Sequence, residues 1–278
     1  MNGLYVVGTS WGVGTTTTSV GMIGALRGQG LRVSAFKPVE VGCSIAKGGG
    51  AVDGIPGGEL SIEARRAYER LNELVGPPSM SVSTRTATEA LHPADTERLA
   101  AALGEQRSLD ELNSFRYSPL VAPAMAAKLA ERPMSLEGLR ASAERASRAG
   151  EVLVVDGSGG VMEPFAKGVL QRDLIAALGF PVLLVSTTAR ESINTVLLSL
   201  EVLRGAGLKV AGVVLHRREK RVRVEEAAVP LMIEMVEGDV VRGVFPYFTS
   251  EQLGNLESLG ARFSTHIDVD ALVRLVCP

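Results

Sequence analysis

A glycine-rich turn near the start of the chain has the composition of an anion-binding loop. The run from Gly8 to Thr17, Gly-Thr-Ser-Trp-Gly-Val-Gly-Thr-Thr-Thr, follows a short apolar segment and leads into a helical one. Backbone N–H groups in such a turn, together with the N-terminus of the helix, form the cradle in which proteins bind nucleotide phosphates. The usual pattern ends in Gly-Lys-Ser/Thr, whereas Thr15 stands here in the lysine position.

Two further residues have side chains that suit phosphoryl transfer. Lys37 follows a second apolar run, and Asp156 follows a third, ahead of a Gly-Ser-Gly-Gly turn. A carboxylate at a strand end can reach nucleotide-bound magnesium, and a lysine in the same crevice can hold negative charge. Each residue alone is ambiguous, because a strand-end lysine is more often solvated and Asp-Gly is first of all a turn signal. Their order at the ends of successive predicted strands favours a nucleotide site.

The elements that must position these residues alternate between strand and helix. Buried-type strands are predicted at 4–7, 33–36, 152–155, 182–185, 210–215 and 240–245, and helices at 17–27, 96–103, 122–129, 136–149, 173–177 and 193–205. This alternation predicts an α/β fold with a doubly wound, mainly parallel sheet of the P-loop NTPase kind, with ligands at the carboxyl ends of the strands. We expect residues 1–278 to form a single domain.

Residues 44–93 interrupt this alternation. Three clusters of glycine and proline surround one polar helical segment, predicted at 59–74. We expect an inserted loop region, for which a lid over the crevice and a surface elaboration are both open interpretations.

Composition argues against several classes of partner. The chain has 29 Lys and Arg against 31 Asp and Glu, so it lacks the electrostatic footprint of a nucleic-acid-binding protein, and the basic run at 217–223 is interpreted as a solvated face. No apolar stretch reaches the roughly 18 residues of a membrane span. The two cysteines suggest free thiols in a reducing compartment. We expect a soluble, cytoplasmic protein without nucleic-acid or membrane partners.

The order of the motifs resembles that of the dethiobiotin synthetase family. The family pattern Gly-Thr-Asp-Thr-x-Val-Gly-Lys-Thr is similar to residues 8–16, and Lys-Pro-Val-Glu-Thr-Gly-Cys is similar to residues 37–43. Further family-like motifs begin, in family order, at Pro93, Tyr117, Glu131, Val155, Arg172, Ser192 and Gly212. The resemblance covers most of the chain outside the insertion.

The resemblance implies an ATP- and magnesium-dependent ring closure. In this reaction an amine of 7,8-diaminopelargonic acid takes up carbon dioxide as a carbamate. ATP phosphorylates the carbamate, and the second amine then closes a ureido ring. Catalysis of this kind is positioning together with charge neutralisation.

The resemblance also implies roles for individual positions. Lys37 would hold the carbamate, and position 15 would be the catalytic position of the loop. Nucleotide-binding positions would be Gly12, Val13, Gly14, Thr15, Thr16, Thr17, His216 and Pro246. Metal ligands would be Thr16, Asp95 and Asp156. Substrate-binding positions would be Trp11, Lys37, Val41, Pro123, Gly159 and Asn194, the last acting across the interface of a homodimer.

Several of these positions depart from the family pattern. Thr15 replaces the loop lysine, Ser10 and Trp11 replace an Asp-Thr pair, and Val41 and His216 replace hydroxyl and amide side chains. Asp156 is a shorter carboxylate than the family's Glu. Trp11 has three open interpretations: it stacks on a base, plugs the pocket, or packs against the insertion.

Two hypotheses follow for the function. The first is a dethiobiotin synthetase-like ligase, with Lys37 or an arginine of the insertion compensating for Thr15. The alternative is an impaired or inactive homologue that acts as a nucleotide-sensing or protein-binding module. The presence of Lys37, Asp95, Asp156 and Asn194 favours the ligase, since a pure scaffold has no need of magnesium carboxylates. The simultaneous changes at residues 10, 11, 15, 41 and 216 favour the alternative.

Overall fold

The computed structural model describes residues 1–45, 62–75, 91–104, 107–221 and 223–276. Their centre is a six-stranded sheet whose strands are β1 (Gly3–Gly8), β2 (Val33–Phe36), β5 (Val152–Gly160), β8 (Val182–Thr187), β9 (Val210–His216) and β10 (Val241–Phe245). The strands lie in the order β10-β9-β8-β1-β5-β2, and every pairing is parallel. All six predicted strands are present, and the predicted parallel α/β fold is confirmed.

Alternate side chains of each strand enter cores on opposite faces of the sheet. In β1, Leu4 and Val6 belong to one apolar cluster, while Tyr5 and Val7 belong to the other. This two-residue period explains why the strands are continuous apolar runs: both faces of a parallel sheet are covered, so neither side of the strand meets water.

Helices cover both faces of this sheet. They are α1 (Thr15–Gly28), α3 (Ala94–Leu103), α4 (Leu109–Leu112), α5 (Pro123–Leu129), α6 (Leu136–Ser147), α7 (Gln171–Leu178), α8 (Ser192–Gly205), α9 (Val224–Glu237), α10 (Ser250–Gly254), α11 (Leu256–His266) and α12 (Val269–Val276). The six helices predicted between residues 17 and 205 outside the insertion begin within two residues of their predicted starts, whereas α4 and the helices from α9 onwards were not predicted. Helix α1, which starts at the phosphate loop, packs tightly on α11. A Cβ built on Gly24 would lie 2.8 Å from the Cα of Gly260. No described helix is long and apolar enough to cross a membrane.

Two short antiparallel strand pairs are separate from the main sheet. Strands β3 (Ser44–Ile45) and β4 (Leu91–His92) pair at the base of the predicted insertion, and β6 (Pro164–Ala166) pairs with β7 (Val169–Leu170). The helix predicted at 59–74 is present as α2 (Ile62–Val75). Residues 46–61 and 76–90 of the insertion lie outside the described residues. The single-domain organisation and the two interpretations of residues 44–93 stay predictions.

Candidate active site

The phosphate loop lies between β1 and α1, at the carboxyl edge of the sheet where β1 runs between β5 and β8. Gly12 (φ 71°) and Gly14 (φ 105°) both have left-handed backbone conformations, which residues with a Cβ adopt only with strain. Gly14 directly precedes α1, and its carbonyl oxygen accepts the hydrogen bond from Thr18 N at 2.9 Å. The two glycines thus turn the chain from the strand into the helix N-terminus.

Lys37 lies in a buried cluster of charges and not in solvent. Its side chain is 3% exposed, and Nζ donates to Asp156 Oδ2 at 2.8 Å and to Asp95 Oδ2 at 3.1 Å. A weaker contact reaches the carbonyl oxygen of Gly157 at 3.4 Å. The end of β2, the middle of β5 and the start of α3 therefore meet at one ammonium group.

Helix α1 adds two hydroxyl groups to this cluster. Thr16 Oγ1 donates to Asp156 Oδ2 at 2.9 Å, and Ser19 Oγ donates to Asp156 Oδ1 at 3.0 Å. Thr16 and Ser19 are three residues apart and therefore share one face of the helix. Ser19 is not among the predicted site residues, although its spacing from Thr16 was an available signal.

Glu40, which is also not among the predicted site residues, fixes the position of Asp95. Its carboxylate accepts from the backbone N–H groups of Asp95 (2.8 Å) and Thr96 (3.0 Å), and from Thr96 Oγ1 (2.7 Å). These N–H groups belong to the first turn of α3, where a carboxylate satisfies unpaired donors and complements the helix dipole. Asn113 Nδ2 then donates to Thr96 Oγ1 at 2.9 Å. The available signal was the Lys-Pro-Val-Glu run, which places Glu40 three residues after Lys37.

The charges within the cluster stabilise one another. Burial lowers the pKa of Lys37, but the carboxylates of Asp156, Asp95 and Glu40 outweigh burial, and the net pKa is raised. Burial raises the pKa of Asp95, and the Lys37 ammonium reverses this, so the pKa of Asp95 lies below its ordinary value. Burial is the main reason that the pKa of Asp156 is raised, with Lys37 acting against it. Lys37 is therefore protonated at neutral pH.

The donor set suits a magnesium ion. Carboxylate and hydroxyl oxygens are the ligands that this hard cation prefers, and Asp95, Asp156 and Thr16 supply them within one crevice. Both carboxylates contact the same Lys37 ammonium, so their oxygens already converge on one cation. The residues present therefore fit the metal that the sequence predicted.

Trp11 and Gly159 are brought together beside the phosphate loop. The indole Nε1 donates to Glu163 Oε2 at 2.8 Å, and the side chain is 43% exposed. Gly159 has φ 75°, and a Cβ there would lie 2.7 Å from the indole nitrogen and 2.5 Å from Glu163 Oε2. Thus the partner of Trp11 among the described residues is the loop after β5. A groove lined by Trp11, Glu163 and helix α8 lies next to it.

His216 and Pro246 lie at the ends of the neighbouring strands β9 and β10. The His216 ring is buried against the phosphate loop, where a Cβ on Gly14 would lie 3.0 Å from it. Its Nε2 is hydrogen-bonded to Thr18 Oγ1 at 2.7 Å. Burial, with a contribution from the charge of Arg218, lowers the pKa of His216 to about 3. His216 is thus a neutral group that supports the loop, and its predicted contact with adenine stays a prediction.

Three predicted substrate positions are not bonded to the Lys37 cluster. Val41 is partly exposed, Pro123 is the buried first residue of α5, and Asn194 is exposed in the first turn of α8. Across the described ranges, no hydrogen bond or ion pair joins these side chains to Lys37. Thr15 and Thr17 are partly exposed and Val13 is buried within the phosphate loop.

The fold and the loop define a class of protein, the P-loop NTPases. The structure titled "MinC:MinD cell division protein complex" from Aquifex aeolicus superposes with a TM-score of 0.50, at 12% sequence identity over 99% of this chain and 95% of that one. Residues 81–261 match the family model described as an AAA domain, a segment that begins after the phosphate loop.

Sequence comparison gives the family. The ATP-dependent dethiobiotin synthetase BioD of Anaeromyxobacter dehalogenans (strain 2CP-1) is 30% identical over 78% of this chain and 77% of its own length. The relative of the same name from Bacillus velezensis is 25% identical over 99% of this chain and 98% of its own length. The chain belongs to the dethiobiotin synthetase family.

Proposed function

We propose that this chain is an ATP- and magnesium-dependent ligase that closes the ureido ring of dethiobiotin on 7,8-diaminopelargonate and carbon dioxide. The observation that carries the proposal is the Lys37 cluster, in which one buried ammonium contacts two carboxylates beside a phosphate loop. The names of the sequence relatives supply the reaction type, and the cluster supplies the charges that such a reaction needs.

In this proposal each part of the cluster has one task. The amides of residues 12–17 bind phosphates, and Thr16, Asp95 and Asp156 would hold magnesium, which neutralises phosphate charge when bound. Lys37 binds the carbamate oxygens and stabilises the negative charge that spreads as the carbamate attacks phosphorus. Because the carboxylates raise its pKa, Lys37 stays protonated and acts as a cation, not as a base.

The diamine would lie in the groove beside Trp11. Gly159 lets the backbone approach a ligand there, and Pro123 and Val41 would contact the substrate from the other side. Asn194 would receive the substrate carboxylate from the neighbouring subunit of a homodimer. Support for a dimer comes from exposed apolar residues on the adjoining helices α8 and α9: Leu198 (58% exposed), Leu231 (62%) and Met235 (79%).

The alternative function, a nucleotide-sensing or protein-binding module, also has an observation in its favour. Thr15 offers no cation to the transferring phosphate, and loss of one such donor typically lowers the rate by roughly a hundred- to a thousandfold. A chain of this kind would bind nucleotide without ring closure.

The test is dethiobiotin formation from diaminopelargonate, bicarbonate and Mg-ATP. The proposal expects product above a protein-free control, lost when ATP is omitted or EDTA is added. Lys209→Ala, at an exposed lysine outside the site, serves as the control for Lys37→Arg, which keeps the buried charge but displaces the ammonium. We expect Lys209→Ala to be active and Lys37→Arg to be folded but inactive.

The Thr15→Lys variant distinguishes the two functions. If the wild type makes no product while Thr15→Lys does, the chain is an inactive homologue that chiefly lacks its loop lysine. If neither makes product, the substrate assignment is wrong and the binding-module function is favoured.

A further inference from the structure

The segment after β9 returns to the phosphate loop. Arg218, two residues beyond the end of this strand, donates a hydrogen bond from Nη1 to the carbonyl oxygen of Gly12. Gly12 is exposed, and a Cβ built on it would meet no atom within 4 Å. A guanidinium group therefore lies at an open part of the loop, brought there by the fold from more than two hundred residues away in sequence.

A second observation places the same charge near the other loop glycine. The pKa of His216 is lowered first by burial and second by the charge of Arg218. The His216 ring packs against Gly14, since a Cβ built on this glycine would lie 3.0 Å from the ring. Arg218 therefore contacts the first loop glycine and lies near His216, which packs against Gly14, the residue before Thr15. In family members with the usual pattern, the residue after this second glycine carries the cation.

The neighbouring basic residues are directed elsewhere. Arg217 Nη2 donates to the carbonyl oxygen of Lys220, and Arg223 pairs with Glu226. Within the described part of the run at 217–223, hydrogen bonding to the phosphate loop is confined to Arg218. The run is therefore more than the solvated face that its composition suggested.

We propose that Arg218 supplies the phosphate-binding cation that position 15 lacks. This proposal depends on the proposed function in one respect only, which is that the loop binds a polyphosphate. A carbonyl oxygen is a neutral acceptor, whereas a phosphate oxygen is an ionised one, and Arg binds phosphate with two parallel hydrogen bonds. The exposed Arg218 side chain would exchange the Gly12 carbonyl for the phosphates when a nucleotide binds.

Calorimetric titration with Mg-ATP and, separately, with inorganic tripolyphosphate tests this assignment. The proteins compared are the wild type, Arg218→Ala, Arg218→Lys and the control Arg221→Ala, which removes an exposed arginine from the same segment. Loss of a charge-assisted hydrogen bond predicts roughly ten- to a hundredfold weaker binding of both ligands by Arg218→Ala. We expect a smaller loss in Arg218→Lys, none in Arg221→Ala, and partial recovery in Arg218→Ala combined with Thr15→Lys.

The outcomes separate this assignment from the proposed function. Equal affinity of the wild type and Arg218→Ala, equal losses in Arg218→Ala and Arg221→Ala, or no tripolyphosphate binding by the wild type would overturn it. If Arg218→Ala alone loses affinity while the wild type makes no dethiobiotin, the assignment stands and the ligase function fails. Unchanged thermal unfolding of Arg218→Ala is required for the comparison, as expected for an exposed side chain.

Discussion

Replacement of Lys37 by alanine is expected to destabilise the fold as well as the site. A solvated strand-end lysine would contribute little to stability, but Lys37 is 3% exposed and its partner Asp156 is fully buried. The change leaves Asp156 as a buried carboxylate without its cation. Only the hydroxyl donors of Thr16 and Ser19 and any entering water then remain to stabilise it.

The magnitude follows from the burial of each ion pair. Removing one partner of a buried pair typically costs about 3–5 kcal/mol, and this range applies to Lys37 with Asp156. The Asp95 side chain is 40% exposed, so solvent screens its ion pair with Lys37. This pair therefore contributes at most about 1 kcal/mol to stability. We therefore expect Lys37→Ala to lose about 3–5 kcal/mol of unfolding free energy at neutral pH. The midpoint of thermal unfolding should fall on the order of 10 °C.

The loss of unfolding free energy in Lys37→Ala, here called the deficit, should also depend on pH. Without the ammonium, the pKa of Asp156 rises further above its unfolded value, because burial is then opposed only by hydroxyl groups. A group with a raised folded-state pKa stabilises the fold as pH falls, so the deficit should shrink in acid. Adding Asp156→Asn to Lys37→Ala should likewise recover part of the loss, because it removes the unpaired charge.

Urea unfolding followed by circular dichroism measures these differences, with Lys209→Ala as the control for removing an exposed lysine. An unfolding free energy of Lys37→Ala within about 1 kcal/mol of the wild-type value would refute the reasoning, because the ion pair of a solvated lysine contributes about that much to stability. A deficit unchanged between pH 7 and pH 5 would refute the contribution of Asp156.

Two further predictions concern His216 and the helices α8 and α9. The folded-state pKa of His216 is lowered to about 3, whereas its ordinary pKa is about 6.5. As pH falls below 6.5, the unfolded chain therefore binds a proton that the folded chain does not bind, and the fold loses stability. The wild type should therefore lose about 2 kcal/mol more than His216→Asn between pH 6.5 and pH 5 in urea unfolding; parallel curves would contradict this. The proposed homodimer should sediment as a dimer at micromolar concentration and as a monomer in Met235→Glu, whereas a monomeric wild type would exclude the role of Asn194 across subunits.

Local patterns were sufficient to predict the central sheet. Strands β2, β5 and β8 begin at the predicted residues, because a strand buried on both faces is apolar at most positions. The end of β5 was placed at residue 155, yet it continues to Gly160. The glycines and Asp156 carry no apolar signal, although their backbone pairs with β1. Likewise, the helices after residue 223 were not predicted, although α11 and α12 complete one face of the core and α9 packs on the other.

The candidate site was predictable in its members but not in its contacts. Lys37, Asp95, Asp156 and Thr16 were named from motif order, and the structure brings these four together. The long-range hydrogen bonds of Glu40 and Arg218 could not be predicted, because each depends on how distant segments are brought together by the sheet. Burial of Lys37 was also invisible in sequence, where a strand-end lysine more often faces water.

These contacts change how the residues of the cluster bear on function. The presence of Lys37, Asp95 and Asp156 favoured catalysis on the premise that a scaffold has no need of them. The structure shows a second reason for them, since the same ion pairs join β2, β5 and α3 in the interior. An inactive homologue would lose several kcal/mol if it lost Lys37, so it would keep the cluster for stability. The phosphate loop carries no such constraint, because Thr15 and Arg218 are accessible to solvent. The choice between a ligase and a binding module therefore depends on whether a cation reaches the phosphates at the loop, which the variants at these two positions measure.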